Sequence, residues 1–300
     1  MSETQPGQNV FTIPAGQPFV DALAAGLLAR SSGGAAELAD STVLLPTRRA
    51  LRSLREAFLR QSGGAPLLLP RMMPLGDIDE DALAIVSAED LPGGAHFDVA
   101  PAIPALQRRL ALTKLVLKQH GGDISLEQAS TLAAELAHFL DQVQTERLSF
   151  DGLKGLVSED YAEHWQITLE FLTILTQHWP GILAEKDAID PALRRNQILE
   201  AQAEHWRRHP PAGPVIAAGS TGSIPATAEL LSVIAGLPAG ALVLPGLDTE
   251  LDPASVSDVP HHPQFGMMAL LDGLDVAPAD VPVWPSEMAG EPHAGRARLI

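Results

Sequence analysis

Residues 101–208 hold no convincing strand, yet short apolar strand runs stand on both sides of them. This interruption constrains the fold more than any other feature of the chain. Before the gap come Val10–Ile13, Thr42–Pro46 and Leu67–Pro70; after it come Val215–Ala218 and Ala241–Pro245. Each is a continuous apolar run rather than an alternation, as expected of strands buried on both faces of a parallel sheet. Helical patterns separate them. Phe19, Leu23 and Leu27 recur at four-residue spacing after Pro18, which suits a first helical position, and Leu51, Leu54 and Phe58 form a second stripe. Strand–helix–strand order of this kind predicts an α/β domain.

Inside the gap, helices are predicted at about 104–120, 126–146, 161–179 and 191–208, with breaks at Gly121-Gly122, Gly152–Gly155 and Pro180-Gly181. Pro210-Pro211-Ala212-Gly213-Pro214 ends the block, and the strand pattern resumes. The chain therefore reads as four segments. Residues 1–95 are the first part of an α/β domain, 96–210 an inserted helical subdomain, and 211–250 the second part of the α/β domain. Residues 251–300 read as a Pro/Asp-rich connecting segment, with a short helix from Phe265 to Leu274 and an end that looks cut.

With 46% hydrophobic residues the chain can bury a large core, and its zero cysteines exclude disulfides, thiolate zinc sites and cysteine-ligated clusters within it. No apolar run reaches the length of a membrane span and the polar N-terminus lacks a signal pattern, so a soluble cytoplasmic protein is expected. The net charge of -17 argues against wholesale nucleic-acid binding, but the charge is uneven. Residues 1–75 carry seven basic and five acidic residues, whereas residues 211–300 carry ten acidic and two basic ones. Any phosphate-binding surface should lie near Thr47–Arg60 or on the helical middle.

The turn Ile13–Phe19 leads from a strand into a helix, as a phosphate loop does. It has neither the lysine that neutralises phosphate nor the hydroxyl that holds magnesium. Thr47 can cap the next helix, with Arg48, Arg52 and Arg55 along one face and Arg49 aside. Arginines in a first turn oppose the helix dipole by some tenths of a kcal/mol each, a cost that a bound phosphate would offset. Thr47, Arg48, Arg49 and Arg52 are therefore the first candidate DNA contacts. Ser220 and Thr221, in the possible anion nest Gly219–Ser223, are the second. Aromatic residues are scarce, so contact to the backbone is expected rather than base stacking. No catalytic, cofactor or metal site is predicted. The run Asp77, Asp79, Glu80, Asp81 reads as a helix cap or a solvated stretch, His261 and His262 fit no ligand spacing, and no nucleophile elbow occurs. Trp165, Trp179 and Trp206 read as core anchors.

Taken together, Val10–Leu28, Thr42–Phe58 (TVLLPTRRALRSLREAF), Leu68–Asp81 (LLPRMMPLGDIDED), Val215–Ala228 (VIAAGSTGSIPATA) and Leu242–Asp248 (LVLPGLD) resemble the N-terminal part of AddB in its alphaproteobacterial form. The resemblance implies a parallel-sheet, superfamily 1 helicase-like domain with a degenerate phosphate loop and an inserted all-helical subdomain. It implies a subunit that resects double-strand DNA breaks with an AddA-type partner, its single-stranded DNA path touching the Thr47–Arg60 segment. Family members often carry a nuclease domain with an iron–sulfur cluster and magnesium; those motifs are not in this chain. Two other readings stay open: a nucleotide- or phosphate-binding α/β enzyme using Gly219–Ser223, or a pure protein-interaction module with an acidic tail.

Overall fold

The computed structural model describes residues 9–31, 35–75, 99–121, 123–150 and 172–286. They fall into two compact units, one comprising Met1–Asp77 with Glu200–Ile300, the other Ile78–Leu199.

The first unit is α/β. Strands β1 (Val10–Ile13), β2 (Thr42–Leu45), β3 (Arg71–Pro74), β4 (Val215–Ala218) and β5 (Gly240–Pro245) form one parallel sheet in the order β1-β5-β4-β2-β3. Strands from both sides of the helical block thus share a sheet, and β4 and β5 lie between β1 and β2. Helices α1 (Phe19–Arg30), α2 (Ala35–Ala39) and α3 (Arg48–Gln61) lie among the first three strands in sequence. α1 and α3 pack together on one face, over Ile13, Val43, Leu45, Ile216, Ala218, Ala241 and Val243.

Alternate residues along a strand face opposite sides, so Leu242 and Leu244 point the other way. There α8 (Pro225–Gly236) packs on β4 and β5, and α9 (Phe265–Gly273) packs on α8. Handedness explains the layering. The path β1→β2→β3 steps across the sheet one way and β4→β5 steps back, so right-handed crossovers place their helices on opposite faces.

The second unit holds α4 (Ala105–Gln119), α5 (Leu126–Thr145), a π-helical turn (Ile174–His178), α6 (Trp179–Glu185) and the start of α7 (Pro191–Arg208). Ser125 and Gln128 close a reciprocal capping box that starts α5. Leu112, Val116, Ala129, Ala133, Leu136, Leu140 and Trp179 make its apolar core. Within the core edge lies a charged knot. Buried Arg108 grips Asp141 with two nitrogens, at 2.9 and 2.8 Å, and its Nε lies 2.9 Å from Asp190 Oδ1. Trp179 Nε1 and Gln144 Nε2 donate to Asp190 Oδ2 at 2.9 and 3.0 Å. Burial pulls the Arg195 guanidinium below its usual value, and the charge of Asp141 opposes that shift.

Four expectations are corrected. The strand expected at Leu67–Pro70 starts at Arg71 instead, because Pro70 has no N–H to donate and Arg71 N is the first to reach Ser41 O, at 2.9 Å. Pro180 does not end a helix. It stands in the first turn of α6, where its missing N–H costs nothing, and helix continues to Glu185. Pro18, likewise, is the cap before α1 rather than its first residue. Finally, residues 251–286 are no loose connection: Met267, Met268, Leu270, Leu271, Val281 and Trp284 are buried in the α/β unit. Thr12 N donates to Pro282 O at 2.9 Å and Trp284 N to Thr12 O at 2.8 Å, which lays this segment beside β1 as a further parallel pairing. The helix expected after Asp79, and the acidic run Asp77–Asp81, lie outside the described residues.

Candidate nucleic-acid interface

All five strands run parallel, so every strand-to-helix loop emerges at one edge of the sheet. Neighbouring strands whose chains then leave to opposite faces open a crevice there, the usual ligand position in such sheets. This sheet has two. One separates β1, which leads to α1, from β5, which leads to α9. The other separates β2, which leads to α3, from β4, which leads to α8.

The β2–β4 crevice brings the sequence candidates onto one edge. Thr47 follows β2, and its Oγ1 accepts from Ala50 N at 3.1 Å, which fixes the start of α3. That bond leaves the hydroxyl hydrogen of Thr47 for another acceptor. Thr47→Ala is expected to cost about 1 kcal/mol of stability, measured by urea unfolding; an unchanged midpoint would show that the cap contributes nothing. Arg48 and Arg49 occupy the first turn of α3, with no acidic residue there, and Arg52 follows about 6 Å down the helix. All three are exposed, and none has an ion-pair partner among the described residues. Arg60, at the far end of α3, is instead committed to Asp21 at 2.7 Å.

Across the crevice, Ser220 and Thr221 follow β4 and are half-buried. Gly219 and Gly222 both have positive φ, at 76° and 68°. A side chain on Gly219 would press on Phe19 and Pro46, and one on Gly222 would meet Leu270 at 2.8 Å. The glycines therefore serve close packing of this loop against α1, β2 and α9. The loop is also partly self-satisfied, with Gly222 N reaching Ser220 Oγ at 3.4 Å and Thr221 Oγ1 reaching Ser223 Oγ at 3.4 Å. What remains for a ligand is a pair of hydroxyls at the end of β4, on the same sheet edge as the arginine-bearing start of α3 at the end of β2.

The β1–β5 crevice is chemically opposite. It holds a cavity of about 390 Å³ whose lining includes Pro14 and Ala15 of the phosphate-loop-like turn, with Asp248, Glu250, His262 and Gln264. Gln264 pins its wall by donating to Gly246 O at 3.0 Å and accepting from Asp248 N at 3.3 Å. Among the described residues two carboxylates and no lysine or arginine line it, so a triphosphate there would meet repulsion from this lining rather than support. Sequence reading saw the missing lysine but not these acids, which arrive from a distant loop.

No helix among the described residues is long and apolar enough to cross a membrane. No protein-family model matches the chain, and no curated protein matches it.

Proposed function

We propose that the chain is the N-terminal part of an AddB-like subunit of a helicase–nuclease that resects DNA double-strand breaks. In this reading the α/β unit guides single-stranded DNA and does not turn over ATP. An AddA-type partner supplies the motor, and the nuclease chemistry with its iron–sulfur cluster and magnesium belongs to a domain outside this sequence.

The observation that carries the reading is the guanidinium row Arg48, Arg49 and Arg52, which has no ion-pair partner among the described residues. It begins at a sheet-edge crevice whose other wall offers Ser220 and Thr221. Arginine forks and backbone N–H groups at a helix start suit phosphate oxygens, and the shortage of aromatic side chains suits backbone rather than base contact. The acid-lined cavity at the phosphate-loop position supports the absence of ATP turnover.

The test is the salt dependence of single-stranded DNA binding by the Arg48→Ala/Arg49→Ala/Arg52→Ala variant. Each lost phosphate contact should reduce the slope of log affinity against log salt by about 0.7, so the triple variant should lose about 2. Unchanged affinity and slope would remove these residues from the DNA path.

A further inference from the structure

Two histidines stand one helical turn apart at the end of α7, His205 and His209. Residues i and i+4 of a helix lie one above the other, about 6 Å apart at Cβ. His209 stands just past the last helical residue, yet its N–H still donates to His205 O at 2.8 Å, so the helical register holds through it. The two imidazoles lie side by side, with centroids 5.1 Å apart and planes 29° from parallel. His209 is exposed and His205 half-buried, so solvent reaches the pair.

The surroundings do not oppose a cation. Arg207 and Arg208 lie between the two histidines in sequence, but carboxylates hold both. Arg207 meets Glu204 at 3.2 Å and Glu229 at 2.9 Å, and Arg208 meets Glu204. These four charges cancel. The pair also sits at the C-terminal end of α7, where the helix dipole favours positive charge. Residue 206 is tryptophan, not the glutamate that follows the first histidine of a zinc-protease helix, so the spacing carries no hydrolytic role.

We infer that His205 and His209 form a two-nitrogen chelating site for a late first-row divalent cation: Zn²⁺, Ni²⁺ or Cu²⁺. Imidazole nitrogen suits these ions, whereas Mg²⁺ and Ca²⁺ require oxygen ligands. No third histidine, cysteine or carboxylate among the described residues joins the pair, so water completes the coordination and the ion stays exchangeable. Once bound, it ties the last turn of α7 across the same i,i+4 step that the backbone hydrogen bond spans. The inference does not rest on the DNA reading, which uses α3 and the loop after β4.

The experiment is calorimetric titration of the full chain, without an affinity tag, by ZnCl₂, NiCl₂ or CuCl₂ alone. One site per chain should stand out as the tightest, with Cu²⁺ bound more strongly than Zn²⁺, and excess MgCl₂ should not displace either ion. His205→Ala and His209→Ala should each weaken that site by at least about tenfold, because either leaves a single imidazole. The control His261→Ala/His262→Ala removes two histidines adjacent in sequence and should bind as the parent chain does. As a second readout, Zn²⁺ should slow hydrogen exchange of the His209 amide in the parent chain and in neither single variant. Unchanged affinity in either single variant, equal weakening in the control, or displacement by Mg²⁺ would each overturn the proposal.

Discussion

Replacing Asp190 with alanine should destabilise the helical unit by about 3–5 kcal/mol, because it strips a partner from a buried guanidinium. Asp190 is fully buried, and three side chains converge on its carboxylate: Arg108, Trp179 and Gln144. Alanine would leave the indole N–H and the amide without an acceptor in an apolar surrounding, and would take the carboxylate away from Arg108 Nε. Asp190→Asn should cost less, since its amide oxygen still accepts from Trp179 Nε1. Urea unfolding followed by circular dichroism would measure both. A loss under about 1 kcal/mol for the alanine variant would mean that water replaces the carboxylate and the knot is not a dry one.

Trp284→Ala carries the second large effect, about 3–5 kcal/mol from the α/β unit. Trp284 is 1% exposed and lies in the core beneath α1; its ring meets Phe11 edge-on at 5.2 Å and Arg30 at 4.9 Å. Burial there holds the Arg30 guanidinium below its usual value. The ring fits only because position 26 is glycine, where a Cβ would stand 2.0 Å from Trp284 Nε1. Gly26→Ala should therefore destabilise the parent chain. In the Trp284→Ala background its penalty should shrink but not vanish, because the backbone oxygen of Pro285 still stands 2.6 Å from that Cβ. Additive effects in this double-mutant cycle would disprove the contact.

Much of the fold was legible in local pattern. The continuous apolar runs marked four of the five strands, and the Leu51, Leu54, Phe58 stripe with Thr47 before it marked α3 and its cap. Edge strand β3 was misplaced because Leu67, Leu68 and Leu69 look like a strand core, although Leu68 is 61% exposed and proline sets where pairing begins. The segment after Asp248 looked loose because its prolines and acids hide an anchor, Trp284, whose partner is a glycine in a distant helix. A lone tryptophan between valine and proline was the available signal.

The candidate DNA residues were likewise legible as types but not as a site. Thr47 and Arg48 could be read as a helix start, and Ser220 and Thr221 as a turn. That they face one crevice follows from β2 pairing with β4, which no local spacing encodes.

Residue order alone determined the α/β class, the interruption by a helical block and the arginine-bearing helix start, because periodicity and capping act between near neighbours. Only the tertiary structure decided that β4 and β5 slot between β1 and β2. From that follow two crevices of opposite charge, the Arg108–Asp190 knot being a separate case of the same kind. Such pairings join residues far apart in the chain, and their energy depends on distance and burial, which exist only once the chain has closed on itself.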